Sequence, residues 1–269
     1  MVEAVNSWIE RLARAGYASK GMVYLIIGFL ALAAGVGKGG ATGDQHTAFH
    51  WILEKPFGRT LLAALSIGLL GYALWRYGSA LADWERRGSD AKGMAIRFGS
   101  FCRGVLYTGI AIEVIRLVLR KGDGGRGSDA TAKHWTARAM DAPFGRWLVI
   151  AAGAGVVGYG IYQLVSAWKA KLSKQLRLGE MKAATRKRVI AASRFGIGAR
   201  GIVFGIIGGS LVLAGLHHNP DEARGTSGAL RELASQPYGM VLLAIVGLGL
   251  AAYGVYAFVN ARYRVIQAA

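Results

Sequence analysis

The 269 residues are 53% hydrophobic yet carry a formal net charge of +18, from 33 Lys and Arg against 15 Asp and Glu. The single cysteine, Cys102, excludes an intrachain disulfide. Six apolar runs, each about 20 residues long and so able to cross a hydrocarbon core of roughly 30 Å, exclude an ordinary soluble domain, whose helices keep a polar face.

Residues 1–16 do not read as a signal peptide, because Glu3 and Glu10 occupy the place of a basic n-region. Val2, Val5, Ile9 and Leu12 recur at helical spacing, with Trp8 beside the stripe. This predicts either a short amphipathic helix in the membrane interface or a frayed tail. The predicted spans then follow as Tyr17–Val36, Thr60–Gly78, Gly99–Leu119, Trp147–Trp168, Gly196–Leu216 and Gly239–Val259. Between the fourth and fifth lies "KAKLSKQLRLGEMKAATRKRVIAASR", the densest basic stretch. It predicts an extension of the fourth helix and then a helix lying on anionic headgroups.

The charge is distributed unevenly. Residues 1–20, 76–103, 169–200 and 261–269 hold 21 of the basic residues and 6 of the acidic ones, and the remainder holds 12 and 9. With an even number of spans the first group lies on one side, which the positive-inside rule makes cytoplasmic, with both termini. The basic residues thus read as an inner-face attraction to anionic lipid. No nucleic-acid module or run of interleaved stacking aromatics accompanies them.

One phrase opens every odd-numbered span: Arg14, Gly16, Lys20, Gly21, Tyr24; then Arg97, Gly99, Arg103, Gly104, Tyr107; then Arg194, Gly196, Arg200, Gly201, Phe204. A second opens every even span: "KPFGR" at Lys55, "APFGR" at Ala142 and "QPYGM" at Gln236. Each proline is followed at fixed distance by Tyr72, Tyr159 or Tyr253. Two phrases recurring three times in one order predict a triplicated two-helix unit, over residues 14–78, 97–168 and 194–260 of a single membrane domain. Units that each cross twice share one orientation, so the expected fold is an all-α six-helix bundle with pseudo-threefold symmetry about the membrane normal. The glycines are expected to let helices approach closely. Lys20, Arg103 and Arg200 are expected to lay their stems over the aromatic one turn on and reach the headgroups. The prolines suit first helical turns, and Tyr72, Tyr159 and Tyr253 the inner interface.

These phrases and the triplicated hairpin resemble the bacterial membrane-protein family catalogued as domain of unknown function 1206, over roughly Leu12 to Arg264. Lys20 stands for the usual arginine in the first copy, and Tyr238-Gly239-Met240 for Phe-Gly-Arg in the third. The resemblance implies a bacterial inner-membrane location and supplies no activity.

Glu113 and Arg116 lie inside the third span, one turn apart, where the other copies have Leu30 and Ala33 or Ser210 and Leu213. They read either as a polar spot for an ion, solute or proton, or as a self-neutralised pair near the outer interface or a partner. All five histidines fall in outer loops, and His46 and His50 have the i, i+4 spacing of a helical metal pair. No CxxC or HExxH accompanies them, and no nucleophile, base and orienter set is evident, so no enzyme and no cofactor are expected. Two functions remain. One is an accessory protein that binds lipid, a membrane protein or a second copy of itself. The other is a small-solute or ion transporter or channel along the axis.

Overall fold

The computed structural model describes residues 2–37, 43–85, 88–119, 127–169 and 183–263, with the backbone alone for residues 2–9 and 183. Among the described residues the chain is helical and has no strand. It forms three long–short–long units: α1 (Val2–Gly35), α2 (Gln45–Leu53) and α3 (Gly58–Leu81); α4 (Ala91–Leu119), α5 (Ser128–Met140) and α6 (Gly145–Trp168); α7 (Ala183–His217), α8 (Thr226–Ser235) and α9 (Gly239–Tyr263). Five helices are long and apolar enough to cross a membrane: α3, α6, α9, and the Glu10–Gly35 and Ala184–His217 parts of α1 and α7. The third predicted span falls on α4, which carries Arg103, Glu113 and Arg116 and is not among the five.

Three expectations change. Residues 2–16 are no separate surface helix, since α1 runs unbroken from Val2. Residues 170–182 of the basic stretch lie outside the described residues, and Ala183 to Arg194 is the start of α7 itself. The outer connections contain helices α2, α5 and α8, which the sequence reading leaves as loops. Their apolar residues, such as Phe49 and Ile52 in α2 and Leu230 in α8, are buried against the long helices.

The long helices pack in cyclic order. The second long helix of each unit lies on the first long helix of the next: α3 on α4, α6 on α7, and α9 back on α1. The opening arginine of each phrase makes that joint. Arg14 donates to the carbonyls of Ala261 and Arg262 (2.7 and 2.6 Å) at the end of α9. Arg97 donates to those of Ala80 and Leu81 (2.8 and 3.0 Å) on α3, and Arg194 to those of Ala167 and Trp168 (2.8 and 3.2 Å) on α6. These are the carbonyls a helix end leaves without partners, and they carry its negative dipole end. Arg97 and Arg194 satisfy both with the planar fork of Nε and Nη2, and Arg14 does so with Nη1 alone while its Nε and Nη2 hold Glu10.

Ten residues on, nearly three turns higher, each phrase's aromatic meets the tyrosine of the same neighbour. Tyr24 packs on Tyr253 (ring centroids 4.8 Å), Tyr107 on Tyr72 (4.6 Å) and Phe204 on Tyr159 (5.3 Å). Between these contacts, Gly21 faces Gly254 and Phe258, Gly104 the Tyr77 ring, and Gly201 Gly160 and Leu164. Gly28 and Gly208 continue this contact by meeting the backbones of α9 and α6. In the α9–α1 and α6–α7 seams these glycines bring two backbones into contact, whereas in the α3–α4 seam Gly104 makes room for a side chain.

The proline phrase is a turn and not a first helical turn, which corrects the sequence reading. Gly58, Gly145 and Gly239 N–H bond back to the carbonyls of Lys55, Ala142 and Gln236 (2.8, 2.8 and 2.7 Å). Between them Phe57, Phe144 and Tyr238 adopt φ of 62, 60 and 59°. Proline followed by a positive φ is a type II turn, in which glycine normally takes the aromatic's place. The glycine after the aromatic has no room for a Cβ, which would run into the carbonyl of Ile52, Ala139 or Ala234. In this strained conformation each ring projects outward, 84% exposed in all three copies. That position suits an aromatic anchor at the outer interface.

The starts of α2, α5 and α8 converge at one end of the bundle. Asp44 caps α2 through Thr47 N–H (2.9 Å) and also accepts from Ser128 N–H (2.6 Å), whose hydroxyl meets that of Ser227 (3.2 Å). Asp129 accepts from the N–H groups of Gly225 and Gly228 and pairs with Arg231. Burial pushes the Asp44 carboxyl up, but the N–H and hydroxyl donors of Thr47 and Ser128 outweigh it and hold the group below its ordinary 3.8. Such a lowered carboxylate stabilises the fold above that value and loses the contribution as pH falls through the folded-state value.

Two outcomes follow from this packing. Gly160→Ala, whose Cβ would meet Gly201 O at 2.8 Å, is expected to lower stability by roughly 1–3 kcal/mol. Gly155→Ala, with nothing within 4 Å, is expected to be neutral or stabilising by up to about 1 kcal/mol. Unfolding of the detergent-solubilised protein in SDS measures both. Asp44→Asn keeps an acceptor for Thr47 but sets an amide donor against Ser128 N–H, so it is expected to cost about 1–2 kcal/mol at pH 7, and the difference from wild type should shrink as pH is lowered below 3.8.

Candidate functional site

The second cation of each phrase does not reach the headgroups as expected. Lys20 and Arg200 are 7% and 8% exposed and point into the bundle, and half-buried Arg103 lines the same space. Lys20 Nζ lies 5.1–5.7 Å from the ring centroids of Tyr72, Tyr107 and Tyr253. Arg200 does cover its own Phe204, at 4.6 Å, but its Nε donates to Tyr24 Oη (2.9 Å) and its Nη1 to Tyr159 Oη (3.4 Å) and Gln163 Oε1 (3.2 Å). Arg103 Nε donates to the Gly99 carbonyl of its own helix (2.8 Å). Water is replaced as solvent for these charges by hydroxyls and π faces, which lowers the several-kcal/mol cost of burying them. This is also why Tyr72 and Tyr253 are buried in the core and not anchored in headgroups.

A fourth cation, Arg76, comes from α3, where the other copies have Gln163 and Ala257; the sequence reading does not single it out. Arg76 Nε donates to Tyr72 Oη (3.0 Å), its Nη2 to Tyr17 Oη (3.2 Å), and its Nη1 pairs with Glu85 (3.3 Å). Arg76 lies outside both repeated phrases. A lone arginine near the end of an apolar span was its only signal.

These side chains surround a cavity of about 440 Å³ at the end of the bundle where the odd long helices begin. Four cations line it against one carboxylate, Glu85, already held by Arg76. Among the described residues, Arg103 and Arg200 have no carboxylate partner. Gln163 is 6% exposed and its Nε2 has no hydrogen-bond partner. The bond from Arg200 to Oε1 fixes the amide at the cavity wall with that donor unsatisfied.

The cavity has one closed end. Toward the end of the bundle that carries α2, α5 and α8, Lys20, Tyr24, Tyr72, Tyr107 and Tyr253 are buried, and buried Ile27, Leu69, Val114 and Leu250 follow. The void above them, lined by Tyr24, Leu69 and Tyr107, is about 10 Å³. That is room for about one water at most.

One side of the cavity is an open seam. α1 packs on α3 and α7 on α9, but α4 and α6 of the middle unit do not pack together. The same glycines behave differently in the three units. Gly16 abuts Tyr72 and Gly196 abuts the Tyr253 backbone, while Gly99 meets only the guanidinium of its own Arg103 at 3.5 Å. Gly68 abuts Ser19 and Gly249 abuts Ala199, but Gly155 has nothing within 4 Å.

The profile of the family described as Domain of Unknown Function (DUF1206) matches this chain three times, at residues 15–83, 98–170 and 195–264. The chain belongs to that family. It is also similar to a Bacillus subtilis (strain 168) relative named "Uncharacterized protein YxxB", 36% identical over 266 residues that cover 97% of this chain and 94% of the relative. No solved structure matches. In this DUF1206 member the profile's three matches coincide with the three long–short–long units, so the repeat is both a sequence and a structural unit.

The remaining candidate residues lie apart from the cavity. Glu113 and Arg116 are not joined by a hydrogen bond or ion pair, contrary to the pairing expected from their spacing. Arg116 is exposed, and Glu113 Oε1 is buried with no hydrogen-bond partner. The pair's side chains diverge because Glu113 adjoins the buried face of α4 (Ala111, Val114, Leu117). His46 and His50 do meet, Nε2 to Nε2 at 3.2 Å, yet no group of three His, Cys, Asp or Glu suited to a metal occurs among the described residues. His217 bonds Glu222 (2.9 Å) instead of another histidine. Cys102 is exposed.

Tyr24→Phe removes the acceptor of a buried guanidinium and is expected to destabilise by about 1–3 kcal/mol. Tyr162→Phe, at an exposed hydroxyl on the cavity rim, should be within about 0.5 kcal/mol of wild type. Thermal unfolding of the purified pair checks the contrast.

Proposed function

We propose that this is a non-enzymatic accessory protein of the bacterial inner membrane, which binds a lipid or a membrane complex through the one-ended cavity. On this reading α4 is the sixth span, the three hairpins surround a pseudo-threefold axis, and both termini and the cavity mouth are cytoplasmic. The cyclic order α3 on α4, α6 on α7 and α9 on α1 supports the symmetry. The concentration of Lys and Arg at the cavity end supports the orientation. Its partners would be anionic inner-leaflet lipids and a membrane protein or second copy, with no nucleic acid and no cofactor. The observation that carries the reading is the cavity closed on the outer side by packed aromatic and aliphatic side chains. A holding site needs one mouth, whereas a channel needs two.

A transport reading draws on one observation, the unpacked α4–α6 seam, which leaves room for movement. Solute flux into proteoliposomes, lost in Arg200→Gln, would establish transport and displace the accessory role.

Topology is tested in a Cys102→Ser background. Cysteine in Asp221→Cys should react with a membrane-impermeant maleimide in intact cells, and cysteine in Lys187→Cys only after permeabilisation. The reverse pattern would overturn the orientation. Purification from native membranes without crosslinker should retain a stoichiometric lipid or protein, and recovery of the bare chain would count against an accessory role.

A further inference from the structure

We propose that the cavity binds a phosphate-bearing anion, and that the seam between α4 and α6 is its way in. The inference rests on the reading that the cavity is a binding site and adds what it binds. Three observations support it. The lining is cationic: among the described residues Arg103 and Arg200 have no carboxylate partner, and they add to an Arg76 that Glu85 already balances. Charge buried without a counter-charge is costly in a low-dielectric interior, and an anion placed among these groups recovers that cost. Arginine's planar donors suit the oxygens of phosphate, and charge-assisted bonds to them are about twice as strong as neutral ones.

The second observation is the Gln163 amide. Its Nε2 is a buried donor with no partner, on a side chain that lines the cavity and bonds Arg200. A donor left so normally costs about 1–3 kcal/mol, and an oxyanion oxygen between Gln163 and Arg200 would satisfy it. A cationic ligand is excluded by the same lining, and a neutral apolar one would leave the donor unsatisfied. The volume, about 440 Å³, falls within the roughly 300–1,000 Å³ of small-molecule sites. It leaves room for more than the phosphate, and Tyr159 with exposed Tyr162 offers faces for the rest.

The third observation is the route. The seam lies between two long helices whose outer faces are apolar, with Phe98 and Leu106 on α4 and Leu164 and Val165 on α6 exposed. Glycines that close the equivalent seams in the other two units meet open space here. A lipid can present its headgroup to the cavity through such an opening and keep its chains outside. A soluble phosphate or phosphate ester could reach the same donors from the mouth.

The test uses the full chain purified in neutral detergent and titrated by calorimetry with dioctanoyl phosphatidic acid, with dioctanoylglycerol and with inorganic phosphate. Saturable binding of phosphatidic acid and none of dioctanoylglycerol is expected. Phosphatidic acid at least tenfold tighter than inorganic phosphate identifies a lipid headgroup, and equal affinities identify a soluble oxyanion; either supports the site. Arg103→Gln and Gln163→Leu should each weaken binding roughly tenfold, the size of one lost charge-assisted bond. Arg59→Gln, exposed at the other end of the bundle, should leave it unchanged. Arg103 is a mild substitution because its only bond among the described residues is to its own helix. Circular dichroism and gel filtration confirm the fold of each variant. No saturable binding of any phosphate probe, or binding undiminished in both cavity variants, overturns the proposal. Such a failure would leave the topology and co-purification results standing, so it is distinguishable from failure of the accessory reading.

Discussion

The architecture hangs on a guanidinium laid across the free carbonyls of a helix end. Arg14, Arg97 and Arg194 each join the start of one unit to the finish of another, and because Arg14 reaches the end of α9 the chain closes on itself. Those carbonyls have no partner in their own helix and carry its negative dipole end, and guanidinium donors at that spot satisfy them in the most direct way. One contact therefore sets neighbour order, helix end and relative height together. The aromatic pair nearly three turns above and the glycines between follow from that register.

Closing the ring turns the second cation of the phrase inward. Six residues along a helix is 600°, or 240° beyond one full turn, so a first arginine facing the preceding neighbour's end sends the next cation to a different face. For Lys20 and Arg200 that face is the interior. The tyrosines of the even helices are where such charges need hydroxyls and rings, and Arg76 shares the same set through Tyr17 and Tyr72. The buried polar layer and the cavity below it are products of one register.

The middle unit departs from the pattern. Its helices carry the glycines for close contact yet stand apart, its α4 holds Glu113 with an oxygen lacking a hydrogen-bond partner, and the cavity opens along it. Sequence comparison among the copies already isolates Glu113, because a carboxylate at a position that is Leu30 or Ser210 elsewhere is visible without coordinates. The open seam is not visible that way, since Gly99 and Gly155 read the same as Gly16 and Gly68.

Hydropathy and internal repetition by themselves determined a helical membrane protein, three copies of one unit and their order. These are legible because an apolar run long enough to span, and a phrase written three times, are properties of the chain alone. Side-chain direction is a different matter. Whether Lys20 and Arg200 reach outward to headgroups or inward to tyrosines depends on which neighbour occupies each face. Whether Pro56, Pro143 and Pro237 open a helix or a turn depends on where Ile52, Ala139 and Ala234 place their carbonyls. The convergence of the short helices α2, α5 and α8 and the cavity itself exist only once the ring is closed, because each needs groups from units far apart in the chain. Arg76 is fixed within its own unit, where packing brings Tyr17, Tyr72 and Glu85 to it.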